Sequence, residues 1–362
     1  MRYDEIAREK AGKLISAGHA RILAIESSCD ETSAAVVDDG RIMLSNPIAS
    51  QIKLHEIYGG VVPEIASRMH VEAVDAMVDQ ALEQANCSID SIDAIAVTQG
   101  PGLVGALLTG VAAAKALAMG RELPLIAVNH IEGHVSANYI ASPELEPPFL
   151  CLVVSGGHTH LVVVRDYGVY ELIGQTVDDA AGEAFDKVAR ILGLPYPGGP
   201  KMDEAAQGGN DGAYTFPKPL VKGSMNFSFS GIKTAAINLS HKLQQQGVEI
   251  NRADFAASYR KSVVEALVER TREAARMTGM KRVAMAGGVS ANSLLRSEMQ
   301  RMCQNNGLTA YMPPLRLCTD NAAMIGSAAF YRLMRGEIAA LDLNAMPMLT
   351  LDMSAAQDVH NV

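Results

Sequence analysis

Short apolar runs, each closed by a polar turn, recur along the chain and read as buried strands. Residues 22–28 (ILAIESS) form the first, Cys29-Asp30-Glu31-Thr32 turns, and 33–37 and 41–44 make two further strands joined at Asp39-Gly40. The plan returns after about 127 residues. There 149–154 (FLCLVV) is the strand, Ser155-Gly156-Gly157-His158 the turn, and 159–164 and 169–173 the next two strands across Tyr167-Gly168. Such self-similarity predicts an internal duplication: two similar lobes facing across a cleft, each contributing one polar turn.

Between these units the apolar period lengthens to that of helices. It predicts helices over 64–85, 178–192, 254–277 and 293–304, with a small-residue helix over 103–118 introduced by Gly100-Pro101-Gly102. Residues 92–98, 123–128 and 282–286 read as single strands, and 195–200 as a Gly/Pro loop. Residues 1–20 mix acids with bases and lack an apolar signal core, so they read as a helical extension and not as a targeting sequence.

Composition narrows the class without naming a function. With 362 residues, 48% apolar and 20% charged, the chain can fill two cores of an ordinary soluble protein. The best membrane candidate, 103–118, is short and interrupted by Lys115, so a buried helix is expected and no membrane partner. Cys29, Cys87, Cys151, Cys303 and Cys318 are odd in number and lack C-x-x-C spacing, which suits reduced thiols and a cytoplasmic location. The net charge of −9 argues against a protein that coats nucleic acid over its whole surface. Residues 252–316, with 11 Lys/Arg against 5 Asp/Glu, are the basic exception, readable as solvated helix faces or as a phosphate footprint.

Candidate chemistry centres on His130-Ile131-Glu132-Gly133-His134. Asn129 and Glu132 resemble a capping box, so a helix should start there, with His130 and His134 one turn apart on one face where both can reach one metal ion. The spacing alone leaves metal binding and coincidence open. A metallopeptidase needs its Glu in another place, since H-x-E-x-H is neither H-E-x-x-H nor H-x-x-E-H. Gly287-Gly288-Val289-Ser290-Ala291-Asn292 follows a strand and precedes a helix, a place where backbone N–H groups point at anions. Asp30 and Glu31 occupy the opposite turn, either as turn formers or as cleft residues. His158 and His160 share a strand face, His158 next to the turn and His160 packing.

Taken in order, ESSCDET (26–32), TQGPGL (98–103), NHIEGH (129–134), VVSGGHT (153–159), FDKVAR (185–190), YPGGPKMD (196–203), FSFSGIKT (227–234), GGVSAN (287–292) and TDNAAMIG (319–326) resemble the motifs of the TsaD family. The resemblance runs from about residue 21 to 338 and leaves both ends uncovered. It implies an α/β, actin-like and Hsp70-like (ASKHA) duplicated fold with central mixed sheets and a cleft between the lobes. On it, 21–148 is lobe I, 149–320 lobe II and 321–345 a C-terminal helix returning to lobe I, flanked by the extension 1–20 and a tail 346–362.

The resemblance also implies an activity: transfer of a threonylcarbamoyl group from threonylcarbamoyl-AMP to N6 of the adenosine beside the anticodon, position 37, giving t6A in tRNAs that read codons beginning with adenine. His130, His134 and Asp320 match the family's metal ligands; two imidazoles and a carboxylate suit Fe(II), the favoured ion, or Zn(II). Asp320 on its own would read as a helix N-cap. Val153, Val154, Ser155, Gly156 and Gly157 match the segment that binds the acyl-adenylate, and Asp186, Gly199, Asp203 and Asn292 match further substrate positions. Asp30 and Glu31 match an acidic pair tied to activity. The implied partners are tRNA, a TsaB-like paralogous subunit and a TsaE-like P-loop ATPase. Two rival readings of the residues are a nucleotide-dependent kinase of the same fold, which offers no reason for His130 and His134 to pair with Asp320, and a non-catalytic nucleotide-binding module, which only a transfer assay separates from an enzyme.

Overall fold

The computed structural model describes residues 3–351. The chain opens with α1 (Tyr3–Ala17), then β1 (Arg21–Glu26), β2 (Glu31–Asp38), β3 (Ile42–Ser45) and the short β4 (Ile48–Ser50). Helices α2 (Ile52–Glu56) and α3 (Pro63–Gln84), strand β5 (Ala94–Gly100), α4 (Val104–Arg121), β6 (Leu125–Asn129) and α5 (His130–Ala141) follow. The second half repeats a meander in β7 (Phe149–Val154), β8 (Thr159–Asp166) and β9 (Val169–Gln175). Then come α6 (Ala181–Ile191), α7 (Gly198–Ala205), α8 (Ser230–Gln245), α9 (Arg252–Thr278), β10 (Arg282–Ala286), α10 (Ser293–Asn305), β11 (Thr309–Tyr311) and α11 (Ala322–Met334).

The strand pairing carries the duplication predicted from the apolar runs. One sheet has the order β3-β2-β1-β5-β6 and the other β11-β10-β7-β8-β9, the same path traced from opposite ends. In both, the first three strands are antiparallel and the last two add in parallel beside the first. The first hairpin turns where expected, with Asp39 and Gly40 at φ 52° and 68°, the left-handed pair that suits a strand's twist.

Both sheets are covered on both faces, which is why their central strands are apolar without interruption. Ile22 and Ala24 of β1, and Phe149, Cys151 and Val153 of β7, point into one shared core filled by α5 and α11. The alternate residues Leu23 and Ile25 meet α3 and α4, and Leu150, Leu152 and Val154 meet the helices of the second half. The fold is thus a stack with α5 and α11 between the two sheets.

Glycine permits that layer to be thin. A Cβ at Gly133 would lie 2.6 Å from Ile325 Cδ1, and one at Gly326 would lie 2.8 Å from Val37 Cγ2, overlaps of a kind that cost about 1–3 kcal/mol in a packed core. The glycine inside HIEGH therefore sets how closely α5 approaches α11, and α11 begins just after Asp320.

Several elements depart from the sequence expectation. The helix expected over 178–192 starts at Ala181, because Asp178 is spent accepting from the Phe229 and Ser230 amides and Asp179 on Lys187 and Lys233. In the loop expected over 195–200, Gly198 already opens α7, since Asp186 Oδ1 accepts from the amides of Gly198 and Gly199. Helix α11 ends at Met334, where Gly336 takes φ 80°, so the rest of the expected 321–345 helix is irregular. Of the tail, 346–351 lies against the Gly100-Pro101-Gly102 turn through Met346 N to Gln99 O (2.8 Å) and Gly102 N to Pro347 O (3.2 Å); 352–362 lies outside the described residues. Helix α4 is long and apolar enough to cross a membrane by length and composition, yet it buries Ala106, Leu107, Val111, Ala114 and Ala118 in the fold.

Candidate metal centre and the cleft around it

The loop sequences explain why three ligand-type side chains meet. Asn129 ends β6 and caps α5, its Oδ1 accepting from the amides of Ile131 (2.8 Å) and Glu132 (3.4 Å). Only half of the expected capping box forms. Glu132 turns away to the Arg332 guanidinium at 3.0 Å, buried between α5 and α11. That pairing also removes Glu132 as a base for a peptidase. His130 and His134 follow on one face, with ring centroids 4.6 Å apart.

Asp320 arrives from the other side. The N-cap of α11 is Asn321 and not Asp320. Ser33 Oγ, Asn46 Oδ1 and Asn321 Oδ1 accept from the first free amides of the helix, which leaves the Asp320 carboxylate unspent. Its Oδ1 stands 3.5 Å from His130 Nε2 and 3.3 Å from His134 Nε2.

The three ligand atoms lie within 4.8 Å of one another. Donors bound at about 2.0–2.2 Å to a common ion sit about 3.0–3.5 Å apart, which matches the carboxylate-to-imidazole spacing. His134 supplies the sharper observation: it is fully buried, among the described residues its Nδ1 has no hydrogen-bond partner, and its Nε2 has only the Asp320 carboxylate at 3.3 Å, in poor hydrogen-bond geometry. A poorly satisfied buried polar atom costs about 1–3 kcal/mol, and a cation on Nε2 would satisfy it. Burial favours neutral His130, but Asp320 and Glu26 on either side push its imidazole up to about 10. Burial likewise opposes charge on Asp320, yet His130 and His134 hold its carboxyl well below the usual range. Metal uptake must therefore displace a proton from this cluster.

The Ser155-Gly156-Gly157 turn lies at the end of β7 and forms part of the α6 N-terminus. Ser155 O accepts from the Gly182 amide at 3.2 Å and Gly156 O from Glu183 at 3.1 Å. A Cβ on Gly182 would meet Ser155 O at 2.6 Å, and one on Gly287, at φ +85°, would meet Val154 O at 2.5 Å. Both neighbours must therefore be glycine for the GGVSAN segment and α6 to close around the turn. Gly156 and Gly157 are exposed and a Cβ on either would meet nothing within 4 Å, so their free side faces open space. His158, at the end of the turn, is pushed down to about 3, first by burial and then by the neighbouring imidazoles of His130, His160 and His134. Strand β7, which ends at this turn, packs against α5, which carries both histidines, in the shared core, and His158 is neutral at pH 7. His160 is half-buried, its ring centroid 5.5 Å from that of His158.

The remaining predicted site residues are held by the fold in different degrees. Asp186 is spent on the α7 amides, as described, and burial pushes its carboxyl up. Gly199 has open space at its Cα. Asp203 is engaged with Arg260 at 2.7 Å and with Ser293 N and Oγ, both at 3.0 Å. Asn292 caps α10 through its Oδ1 to Leu295 N at 3.0 Å. Val153 and Val154 are fully buried, so what they can offer a ligand is backbone.

Asp30 and Glu31 lie on the opposite wall. The Tyr196 hydroxyl donates across the cleft to Asp30 Oδ2 at 3.3 Å, and Arg190 donates to Gly59 O. Between these contacts Tyr58, Asp186, Arg190 and Tyr196 line a cavity of about 400 Å³. Burial, then repulsion from Asp320, pushes Asp30 above its ordinary value. Glu31 is pushed up to about 8, first by burial and then by Asp30; Ser50 donates to its Oε1 and no described group reaches Oε2.

Because its folded value lies above the unfolded one, Glu31 binds its proton more tightly in the native state. Its contribution to stability is complete below about pH 4.5 and is lost as pH rises through about 8. Glu31→Gln, which is always neutral, should therefore gain in Tm relative to the parent between pH 5 and pH 8.5, by a few °C. A Tm difference independent of pH over that range would show that Glu31 is not buried as an acid.

Sequence reasoning missed three groups here. Glu26 was legible as the lone acid in an apolar strand. Tyr196, next to a Gly/Pro turn, carried no signal of its cross-cleft contact. His70, bonded to Thr32 Oγ1 at 2.7 Å and Cys29 O at 3.0 Å, looked like one more position on a helix.

Two mirrored meander sheets, a cleft walled by both, and two imidazoles with a carboxylate at its base define a duplicated ASKHA-type α/β protein with a metal-binding type of site. Solved structures agree on the fold. HypF of T. kodakarensis superposes with a TM-score of 0.60 at 16% identity, covering 90% of this chain and 49% of that one. Component A of the Acidaminococcus fermentans (R)-2-hydroxyglutaryl-CoA dehydratase superposes with a TM-score of 0.50 at 15% identity, covering 88% and 98%.

The chain belongs to the TsaD family, tRNA N6-adenosine threonylcarbamoyltransferase, whose family model matches residues 42–327. Proteins of that description from Clostridium botulinum (strain 657 / Type Ba4) and Clostridium novyi (strain NT) are 58% and 56% identical, each alignment covering 91% of this chain and 97% and 98% of the relative. The protein is accordingly a transferase that modifies tRNA, forming t6A.

Proposed function

We propose that the chain takes the threonylcarbamoyl group from threonylcarbamoyl-AMP and passes it to N6 of adenosine 37 in tRNAs that read codons beginning with adenine. The observation that carries this reading is the packing of β7, which ends at the open Gly156-Gly157 turn, against α5, which brings His130 and His134 to Asp320. In the reaction the N6 amine forms a C–N bond to the carbamoyl carbonyl carbon. The C–O bond to the phosphate breaks, AMP leaves with the electron pair, and N6 gives up one proton.

The donor is already activated, so alignment and charge stabilisation are the main tasks. Within the 153–157 segment the amides of Gly156 and Gly157 receive the phosphate, with Ser155 adding a hydroxyl, since the Ser155 amide is donated to His158 O. Asp186, Gly199, Asp203 and Asn292 hold the rest of the adenylate. Asp30 suits the role of proton acceptor, and Glu31, mostly neutral at pH 7, that of donor to the carbonyl or phosphate oxygen. His130, His134 and Asp320 would hold one divalent ion, Fe(II) or Zn(II), which supplies a Lewis acid when bound.

The acceptor and partners follow from surface chemistry. Of the basic 252–316 region, Arg260, Lys261, Arg270 and Arg301 are paired with Asp203, Asp211, Glu273 and Glu298. Arg270 is nearly buried, which removes it from any tRNA footprint. Arg272, Arg276 and Lys281 line a surface groove and are the cations we assign to the tRNA backbone. Neutralising these three should weaken tRNA binding and flatten its log–log salt dependence by roughly 0.7–0.9 for each phosphate no longer neutralised, with adenylate binding unchanged. A parent salt slope in the triple variant would put the tRNA on another face or on a partner.

A TsaB-like paralogous subunit and a TsaE-like ATPase complete the proposal, in the cytoplasm. Val71, Val104 and Leu108 are exposed on α3 and α4, the two helices that meet at Ser67 and Gly105, and such an apolar face suits a helical partner. Mass analysis of tRNA nucleosides after incubation with threonine, bicarbonate, ATP and these proteins tests the whole scheme. Efficient multi-turnover modification by this chain alone, given purified adenylate, would refute the partner requirement.

A further inference from the structure

We infer that Glu26 is a positioning residue that fixes which nitrogen of His130 faces the metal. The inference rests on the metal-site reading above and adds a residue outside the ligand set. Glu26 closes β1 directly after Ile22, Leu23, Ala24 and Ile25, and it is fully buried. An acid in such a run is costly unless its oxygens are paired, so its presence calls for a reason.

The pairing supplies one. Glu26 Oε1 accepts from the Ser28 amide at 2.5 Å, and Oε2 accepts from Thr98 Oγ1 at 2.6 Å and lies 3.1 Å from His130 Nδ1. Ser28 Oγ also lies 3.2 Å from that nitrogen. An ionised carboxylate can only accept, so Glu26 holds the hydrogen on His130 Nδ1, and when a metal displaces the hydrogen that faces Asp320 it is Nε2 that supplies the lone pair. A carboxylate on the far nitrogen of a metal-binding histidine fixes the ring and strengthens its donor atom. His134 has no such support among the described residues, since its Nδ1 is unpartnered. His130 is therefore the oriented ligand of the two.

Glu26→Gln tests this without changing size. The Gln oxygen can accept from the Ser28 amide only if its NH₂ group faces Thr98 Oγ1 and His130 Nδ1. Donation to Nδ1 then favours the tautomer with the hydrogen on Nε2, the atom needed for the metal. Zn(II) affinity, measured by chelator competition on the full chain, should fall about 10–100-fold while Tm without metal stays near the parent value. In the Zn(II)-loaded parent, a downfield Nδ1–H resonance from ¹⁵N-labelled His130 should be present and slow to exchange, and it should be lost or shifted in Glu26→Gln. Should Gln destabilise the fold, Glu26→Asp retracts the carboxylate from His130 while keeping its charge, and the same loss of affinity is expected. Parent affinity together with an unmoved resonance in the variants would overturn the role of Glu26. Failure of the parent itself to bind Zn(II) through His134 and Asp320 would instead overturn the metal-site reading on which it rests.

Discussion

Asp320→Asn is expected to strip the protein of its metal and lower threonylcarbamoyl transfer by at least about 100-fold. The change is isosteric, so it leaves the packing of the α11 start intact: the amides there are held by Ser33, Asn46 and Asn321, not by Asp320. What it removes is the carboxylate that stands within 3.5 Å of both Nε2 atoms. His134→Ala should act in the same direction, with an added cost of several kcal/mol at most from the cavity it leaves in a fully buried position. Elemental analysis on folded protein separates the two effects, because it reads the loss of a ligand directly, whatever either variant does to Tm. A further consequence follows for the opposite wall. Asp320 is among the charges that push Asp30 and Glu31 upward, so both acids should titrate lower in metal-free Asp320→Asn than in the metal-free parent. Full metal content in both variants would remove these residues from the ligand set.

Gly156→Val is expected to abolish productive binding of the acyl-adenylate while leaving the fold untouched. The position is exposed, and a Cβ there would meet nothing within 4 Å, so the branched side chain projects into the open side of the turn. A backbone that must approach a phosphate closely cannot do so past a valine. Affinity for adenylate, read by calorimetry, should drop by at least about tenfold with Tm changed by no more than a degree or two. Gly182→Val makes the contrast, because its Cβ would strike Ser155 O at 2.6 Å and the protein itself should be destabilised. Unchanged adenylate affinity in folded Gly156→Val would send the donor site elsewhere.

The apolar runs at β1 and β7 were legible because both sheets are buried on both faces, and the spacing of the repeats made the duplication visible before any tertiary packing was known. The histidine pair was legible too, since helical geometry alone puts His130 and His134 on one face. Asp320 was not: by itself it looks like an N-cap, and only the neighbouring Asn321, taking that role, leaves the carboxylate available. Glu132 misled in the same way, its capping-box spacing overridden by a buried guanidinium from a helix 200 residues away. Arg270 belonged to a basic cluster in sequence but is folded inward onto Glu273 and Val221 O. Long-range partners decide such cases, and local spacing does not carry them.

The most direct test of the central claim is mass analysis of nucleosides from unmodified tRNA incubated with threonylcarbamoyl-AMP, the partner proteins and either the parent chain or Asp320→Asn. The account predicts t6A with the metal-loaded parent and at most about one hundredth of that rate with the variant. No t6A with the parent, or equal t6A with Asp320→Asn, would contradict it.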